Sequence, residues 1–581
     1  MLNLDTAFCL RLWLLFGSLF LFNNNICAAV DENTARQAGA TAVKAVIPRK
    51  IDYKKLNFSL MPFGVKVNDI TFSENERFAK HPLRDWPFFA RADEVSLTAE
   101  LLPLLIGRIT ITDLQVNKFN ANILVDSDYS VNVDDLRQQK RGPLMNWLRV
   151  KQFHARNGMV NVVDASAVRG PARLVFDDID VRFTGFSVKE KFNIDIGLRT
   201  PSSKTRNVSL RGIAGPLNRE RSERMPLDGI FTVDKAPIMP FSAYIPHGLT
   251  AYPESGFASM KLQLKGNAWD GMTSKGGVQI DDLVLAAPDG KQRGKAFAVG
   301  LDIGRNIFSL KNNSLQINEM AMFLDGNRMT INGIVRGIPR KPMMDVNIKA
   351  TNLEPTTMEA IYPFVRAYYP KGLSYAGTTS VNIHAQGDVN ALNAKGTLDS
   401  SNMAVRLPEV FEKKAGSTLH VDFKAELVPA QFTIKAKANV LAKDMTMLNA
   451  RLFKEGLGEI LGKRISPRQL DQLLKASNTL LISQAEGIMN YENNFIRLEK
   501  MTLTQLSDAE GAVADASVSG TLDINKLLVN WSVDARLSKD RSQKLLQLVP
   551  SLATLADAEG RIPFEFKVTG ALDKELKVSL Q

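Results

Sequence analysis

The sequence predicts a mainly β protein: an elongated, curled, groove-like antiparallel sheet built from repeated meanders, with a few short helices. Apolar residues return at every second position in many segments, as in Ile109-Thr-Ile-Thr-Asp-Leu-Gln-Val116. Side chains alternate between the two faces of a strand, so this pattern gives one apolar and one polar side. Turn-forming pairs such as Asn157-Gly158 and Asp325-Gly326 recur about every eight to twelve residues, which favours short antiparallel strands.

The alternation changes phase at two points, Thr112-Asp113 and Asn117-Lys118. An extra residue in one strand of a pair produces such a change, so both points predict β-bulges or tight bends. The same alternating pattern returns at 148–155 and at 518–535. No segment combines strand patterns with long helices, which argues against a doubly wound α/β sheet.

An internal repeat underlies the predicted meanders. Each copy has a short apolar helix, a proline and then glycines roughly ten residues apart. The copies are Pro246 with Gly256, Gly266 and Gly276; Pro370 with Gly377, Gly387 and Gly396; and Pro550 with Gly560 and Gly570. Repeats of this kind stack neighbour on neighbour.

One helical insertion is predicted near 445–483. Leu448, Leu452, Leu457 and Leu461 recur at roughly helical spacing. Ser466-Pro467 predicts a second helix start, with serine as the N-cap and proline at the first helical position. An amphipathic helix packs first of all on its own protein, so we favour a helix pair that covers the sheet over one that lies on a membrane.

These patterns divide the chain into six regions. They are an export segment (1–29), a linker (30–50), an amino-terminal β region (51–235), a repeated meander region (236–440), the helical insertion (441–485) and a carboxy-terminal β region (486–581).

The first thirty residues predict export. Residues 12–22 form an apolar run, whereas a membrane-spanning helix needs about 20 apolar residues. Cys27 and Ala29 fit a signal-peptidase site, so the segment is either a cleaved signal or a retained anchor. Both alternatives place the rest of the chain in the periplasm. The only cysteines of the chain are Cys9 and Cys27, so no disulfide framework or thiolate metal site is predicted.

The formal net charge of +12 favours anionic partners. The lysines and arginines are spread along the chain at solvent-facing strand positions, and no basic run alternates with aromatic residues. The sequence therefore predicts no nucleic-acid binding.

We find no pattern of catalytic or metal-binding residues and predict no enzyme activity, metal or cofactor. The five histidines have no metal-binding spacing, and there is no nucleophile elbow or phosphate-binding loop. His384 and His420 lie in strand patterns and are interpreted as ordinary sheet side chains. The carboxylate pair Asp177-Asp178 is interpreted as part of a turn or strand end.

Five segments resemble the AsmA family. Segments 63–72, 89–97 and 101–111 resemble the family's amino-terminal domain, which would correspond to 51–235, and 207–216 and 566–573 match its later parts. The resemblance implies a periplasmic, groove-forming β protein that transports phospholipid between the inner and outer membranes or takes part in outer-membrane assembly. The family usually has a longer, uncleaved amino-terminal helix, and this chain departs from that pattern.

A sheet with one continuous apolar face can shield an acyl chain from water. Exposure of a chain of about sixteen carbons costs on the order of 12 kcal/mol, at ~0.8 kcal/mol per methylene. The alternative is a closed sandwich, in which the same side chains pack against a second sheet. The candidates for a lipid-facing surface are Ile109, Ile111, Leu114, Val116, Phe119, Ile123, Val529, Trp531, Val533, Phe564 and Phe566.

Three functions are compatible with an exported β protein. The first is lipid binding and transport, with phospholipid or another acyl-chain lipid and the two membranes as partners. The second is a scaffold that binds outer-membrane polypeptides by strand addition to open sheet edges. The third, an envelope hydrolase, has no support from clustered carboxylates or histidines.

Overall fold

The computed structural model describes residues 49–580, with the exception of several short segments. Those segments are 101–102, 104–108, 138–147, 218–221, 246–250, 288–289, 339–341, 362–371, 389, 409, 429–432, 449, 463–464, 475–478, 493 and 573–575. The predicted export segment, nearly all of the linker and the repeat prolines Pro246 and Pro370 lie outside the described residues.

Hydrogen bonds join the twenty-nine described strands in one sheet, and the described helices are short. The predicted fold class, mainly β with an antiparallel sheet built from meanders, is confirmed. The described strands do not form the alternative arrangement, a sandwich of two sheets. The chain divides into two compact units: the first holds the described residues up to Leu283 with Ala298–Met320, and the second holds Val284–Phe297 with the residues from Ala321 onward.

Within its described residues, the first unit contains strands β1 to β11, most of β12 and β13, and part of β14, and its described elements also include a short helix and two 3₁₀ segments. The strands are β1 (Ile51–Asp52), β2 (Lys55–Leu60), β3 (Phe63–Phe72), β4 (Ala90–Ala99), β5 (Ile109–Val125), β6 (Leu148–Asp164), β7 (Ala172–Ser187), β8 (Phe192–Arg199), β9 (Val208–Ala214), β10 (Leu227–Pro237), β11 (Tyr252–Asn267), β12 (Gly271–Ala286), β13 (Phe297–Ser309) and β14 (Ser314–Leu324). Helix α1 is Asp134–Arg137, and the 3₁₀ segments are Ser222–Arg224 and Met239–Tyr244.

Strands β3 to β11 pair in chain order, and one pair departs from the predicted antiparallel arrangement. Strands β5 and β6 are parallel, with Ile109 opposite Leu148 and Val125 opposite Asp164. A parallel pair needs a long crossover, and the segment that contains α1 provides it. The predicted phase changes are present in β5: Thr112 has no partner on β4, and Lys118 has a φ of 49°.

The core of the first unit lies against strands β3 to β8. Buried residues from these strands form one cluster, joined by Val133 and Leu136 from the α1 region. The rings of Phe153 and Phe183 stack with centroids 5.3 Å apart. Arg49 closes one side of the core, with its guanidinium 4.0 Å above the ring of Phe89 and an ion pair to Asp135.

The described part of the second unit contains the remaining strands and four helices. The strands are β15 (Asn327–Arg336), β16 (Met343–Leu353), β17 (Ser374–Gly377), β18 (Thr379–Asp388), β19 (Ala391–Asp399), β20 (Met403–Leu407), β21 (Phe411–Lys413), β22 (Leu419–Val428), β23 (Thr433–Met447), β24 (Leu480–Glu492), β25 (Phe495–Asp508), β26 (Gly511–Asp523), β27 (Leu528–Leu537), β28 (Pro563–Ala571) and β29 (Leu576–Leu580). The helices are α2 (Pro355–Ile361), α3 (Arg451–Leu461), α4 (Pro467–Leu474) and α5 (Lys539–Leu548), and a 3₁₀ segment covers Pro550–Leu555.

All described strand pairs in the second unit are antiparallel. The main order is β15-β16-β18-β19-β22-β23-β24-β25-β26-β27-β28-β29. The short strands β17, β20 and β21 form a branch that joins the end of β23. An even number of antiparallel steps separates β16, β23 and β27, so these strands end at the same rim of the sheet. Helix α2 follows β16, α3 and α4 follow β23, and α5 follows β27, so this rim carries the four helices that the structure describes in this unit.

The helical insertion is shorter than predicted. Met445–Met447 belong to β23 and 480–483 to β24, because both segments continue the strand pairing of the sheet. The predicted start of α4 is confirmed: the Gln469 amide donates to Ser466 Oγ at 3.3 Å, and Ser466 N–H donates to Gln469 Oε1 at 2.9 Å. This reciprocal pair is a capping box.

Repeat glycines lie inside strands where two backbones approach closely. Gly387 has a φ of 137°, and a Cβ there would lie 2.1 Å from the Ala391 carbonyl oxygen. Gly266 has a φ of 119°, and a Cβ there would lie 2.3 Å from the Gly271 oxygen. Only glycine adopts such a conformation without a steric cost.

Candidate functional site

The sheet of the second unit has one face that is apolar across eleven strands. Residues that face each other in antiparallel strands project from the same side, so the pairing register can be followed from strand to strand. One such row consists of Met329, Ala350, Val381, Leu398, Val421, Val440, Gly487, Met501, Val518, Val533 and Phe566.

A second row lies beside the first on the same face. It consists of Ile331, Ile348, Ile383, Gly396, Phe423, Ala438, Met489, Leu498, Gly520, Trp531 and Val568. Apart from the indole N–H of Trp531, neither row has a polar side-chain group. Strands in a sheet are about 4.8 Å apart, so the two rows extend over about 48 Å along the sheet. We call these two rows the apolar face.

The apolar face is open on strands β15, β16, β18, β19 and β22. Among the described residues these strands pack against their sheet neighbours, and no helix makes extensive contact with them. Their large apolar side chains are half-buried, among them Ile383, Val421 and Phe423, whereas alternate residues such as Asn382 and Asp422 are exposed on the other face. The segment therefore presents a continuous apolar surface of the kind that marks a binding site.

Three helices cover the apolar face at its other end. We call α3, α4 and α5 the helical cap. Helix α3 rests directly on β28, because a Cβ at Gly456 would lie 2.6 Å from Cγ of Phe566. The rings of Phe453 and Phe564 meet edge to face with centroids 5.1 Å apart. Leu473 of α4 and Leu545 of α5 are buried in the same cluster. The interpretation of the insertion as a helix pair that packs on the sheet is therefore confirmed.

A buried ion pair attaches the helical cap to the sheet. Arg541 of α5 donates from Nη2 to both carboxylate oxygens of Asp508, at 2.8 Å each. Both side chains are almost completely inaccessible to solvent. Arg541 also donates to the carbonyl oxygen of Leu473 at the end of α4. One side chain thus links two helices with the last residue of β25.

The residues predicted to face lipid occupy two environments. In the first unit Ile111, Leu114, Val116 and Ile123 are fully buried in the core, and Phe119 packs against that core. The side chain of Ile109 lies outside the described residues. The first-unit candidates are therefore covered in this structure.

The second-unit candidates lie in the cluster beneath the helical cap. Val529, Val533, Phe564 and Phe566 are fully buried there. Trp531 lies at the margin of the cap and is half-buried. Its indole Nε1 is buried and has no hydrogen-bond partner among the described residues. Buried donors are normally paired, so this group is a candidate contact for a bound ligand.

The open part of the apolar face was not singled out from the sequence. The signal was present in the strict alternation of 419–427, where Leu419, Val421, Phe423 and Ala425 alternate with polar residues. This segment becomes distinctive only when its neighbours in the sheet are known, because those neighbours extend its apolar side across the sheet.

The titratable residues considered from the sequence have structural partners. Asp177 lies within β7 and accepts two hydrogen bonds from Arg199, at 2.6 and 2.7 Å. These bonds, more than the charge of Arg199, lower the pKa of the Asp177 carboxyl. Asp178, at a bulge with a φ of 49°, pairs with Arg206. The pair was expected at a turn or strand end; it lies inside a long strand because the bulge absorbs the extra residue.

The two histidines in strand patterns also have ordinary sheet contacts. His384 Nδ1 lies 2.9 Å from Asn347 Oδ1, and His420 Nε2 lies 3.5 Å from Asp422 Oδ1. Within the part of the chain that the structure describes, no three histidine, cysteine or carboxylate residues are grouped as metal ligands would be.

The fold and this site define a class of protein: a single-sheet β protein with a long apolar face and a helical cap over one end. No known family model, curated protein or solved structure matches this chain. The resemblance to the AsmA family stays a prediction. Among the described helices, none combines the length and the hydropathy that a membrane span requires.

Proposed function

We propose that the apolar face of the second unit binds the acyl chains of a lipid. In this proposal the protein is a non-enzymatic, AsmA-like component of the periplasm that transports phospholipid between the inner and outer membranes. The observation that carries the proposal is the unbroken apolar register over eleven strands, whose large side chains are only partly buried where no described helix covers them.

The energetics suit an acyl chain. Each methylene removed from water stabilises the bound lipid by about 0.8 kcal/mol. Burial of apolar surface has no preferred direction, so this contribution is the same whichever way the acyl chain lies along the apolar face. A chain can therefore occupy successive positions on the face at similar free energy, which is what transport requires. The unpaired indole N–H of Trp531 offers a hydrogen bond to an ester carbonyl of the same lipid.

Photo-crosslinking tests the proposal, and the adjacent residue of the same strand provides the control. A photoreactive phenylalanine analogue replaces Phe423, on the apolar face, or Asp422, on the opposite face of the same strand. The full-length protein is irradiated in cells, purified and analysed by mass spectrometry. We expect phospholipid adducts at 423 and few or none at 422, because consecutive side chains of a strand point to opposite sides.

Two outcomes of this experiment would contradict the proposal. One is the absence of lipid adducts at 423 under conditions in which the analogue reacts with protein. The other is equal labelling at both positions, which would indicate random contact with membranes. Extraction of lipid from the unmodified purified protein provides an independent measurement.

The second candidate function, binding of outer-membrane polypeptides, has one observation in its favour. Strand β29 pairs only with β28 among the described strands, so the other edge of this five-residue strand has no described strand partner, and helix α3 contacts the strand. An open edge accepts an added strand through backbone hydrogen bonds. A photoreactive residue at Lys577 would then crosslink to unfolded outer-membrane polypeptides, with no lipid adduct at 423.

A further inference from the structure

The polar face of the second unit carries cations at the same register on successive strands. Lys395 on β19 is directly opposite Lys424 on β22, and Lys424 is directly opposite Lys437 on β23. His384 on β18 is the other partner of Lys395. We call these four residues the basic ladder. The row continues with Asn490 on β24 and Arg497 on β25.

This arrangement places like charges close together. Directly opposite residues in an antiparallel pair have Cβ atoms about 4.5–5.5 Å apart, and like charges at that distance destabilise the pair. Lys437 has a partner, since its Nζ lies 3.3 Å from Glu499 Oε1. No carboxylate of the described residues lies within ion-pair distance of Lys395 or Lys424. The two central lysines of the basic ladder therefore have no direct ion pair among the described residues, and the nearest carboxylates on this face of β22 are Asp422 and Glu426, two residues either side of Lys424.

The basic ladder lines a cavity. The cavity has a volume of about 1150 Å³, and its lining includes all four ladder residues together with Asn490 and Arg497. Lysine and arginine outnumber glutamate in this lining by five to two. One glutamate, Glu492, is already paired with Lys435 at 2.9 Å. The lining of this open cavity thus has an excess of positive charge.

We propose that the basic ladder binds a ligand with several phosphate groups. A lysine ammonium is a compact point charge that suits phosphate oxygens in many orientations. The row from Lys395 on β19 to Arg497 on β25 covers four strand steps, about 19 Å, which is longer than a single phosphate and suits a ligand with at least two. The chemistry fits both a soluble polyphosphate and the phosphate headgroups of an anionic lipid.

The site is separate from the apolar face. Lys424 follows Phe423 in β22, and the two side chains project from opposite sides of the sheet. The proposal does not depend on acyl-chain binding, and failure of either proposal leaves the other intact.

Calorimetry of the full-length protein with inorganic tripolyphosphate tests the site. The ladder variant is Lys395→Gln with Lys424→Gln. The control variant is Lys443→Gln with Lys539→Gln, which removes the same charge at two exposed lysines away from the cavity. We expect the ladder variant to bind about tenfold more weakly or worse, and the control variant to bind as the unmodified protein does. Salt at about 1 M should weaken the binding, because it shortens the Debye length to about 3 Å.

A second arm distinguishes the two phosphate sources. Vesicles of phosphatidylcholine with a minor fraction of phosphatidic acid are sedimented with each variant. Ladder-dependent binding of tripolyphosphate alone assigns a soluble polyphosphate, and ladder-dependent binding of vesicles alone assigns a lipid headgroup. Equal behaviour of the ladder and control variants in both arms overturns the proposal.

The melting temperature separates loss of the site from loss of the fold. The ladder variant removes a like-charge contact, so it should melt no lower than the unmodified protein in the absence of ligand. Tripolyphosphate should raise the melting temperature of the unmodified protein and leave that of the ladder variant unchanged. A ladder variant that melts lower and still responds to tripolyphosphate counts against the site.

Discussion

Replacement of Arg541 with methionine is expected to loosen the helical cap. Arg541 is 2% exposed and holds both carboxylate oxygens of Asp508 at 2.8 Å. The Asp508 side chain is also 2% exposed, so the substitution leaves a buried carboxylate without its counter-ion. Removal of one partner of a buried ion pair typically costs about 3–5 kcal/mol.

Hydrogen exchange at the end of α5 measures this loss locally. The amide of Val549 donates to the Leu545 carbonyl at 2.8 Å and reports the opening of the helix. With 1.4 kcal/mol for each factor of ten, its protection should fall by roughly 150-fold to several thousandfold. The control is Lys435→Met: the Lys435–Glu492 pair has a 2.9 Å contact, but its side chains are 60% and 54% exposed. Such surface pairs contribute about 0–1 kcal/mol, so the control should barely change the protection of Val549.

The double variant Arg541→Met with Asp508→Leu completes the test. An apolar pair of similar volume often replaces a buried ion pair without loss of stability, so the double variant should recover most of the protection. Unchanged exchange in Arg541→Met would refute the role of this pair. A double variant as labile as the single one would show that the uncompensated carboxylate is not the cause.

Two further predictions concern the packing of helix α3 and the stability of the protein at acid pH. Gly456→Ala should lower the melting temperature. Its Cβ would lie 2.6 Å from the Phe566 ring, and such overpacking costs about 1–3 kcal/mol. This cost exceeds the gain in helix propensity from alanine, which is up to about 1 kcal/mol. Gly458→Ala, whose Cβ would meet only the end of Leu470 at 3.2 Å, is the control, and the reverse order of melting temperatures would contradict the packing. In the first unit, the hydrogen bonds from Arg199 lower the pKa of Asp177 below its unfolded value of about 3.9. The stabilisation by the ionised Asp177 is therefore complete above that pH and is lost as the pH falls through the folded pKa. The melting temperature of the unmodified protein should therefore fall more steeply on acidification than that of Asp177→Asn, and parallel curves would exclude the effect.

Alternation in the sequence was sufficient to assign side chains to faces. It placed Val529, Trp531 and Val533 on one side of a strand, and the register of β27 confirms this. It did not show which of these residues stay open to a ligand. The helix that covers Phe566 begins more than a hundred residues earlier in the chain, and no local pattern reports so distant a contact.

The basic ladder was also not predictable from the sequence alone. Lys395, Lys424 and Lys437 come from three separate strand patterns and look evenly spread along the chain. The expectation that the cations are not gathered does not hold for this face, because strand register brings them into direct opposition. Register depends on turn length and bulges, and a shift of one residue would move every lysine to the apolar side.

Because the described helices of the second unit lie on one rim, the chain can change in length only in certain steps. Antiparallel neighbours alternate in direction, so loss or duplication of a whole hairpin leaves every later strand pointing as before. Helix α5 then still begins at the rim that carries α3 and α4. An odd number of strands added between β25 and α5 would carry α5 to the far rim and separate Arg541 from Asp508. Viable variants of different length should therefore differ by even numbers of strands between α4 and α5.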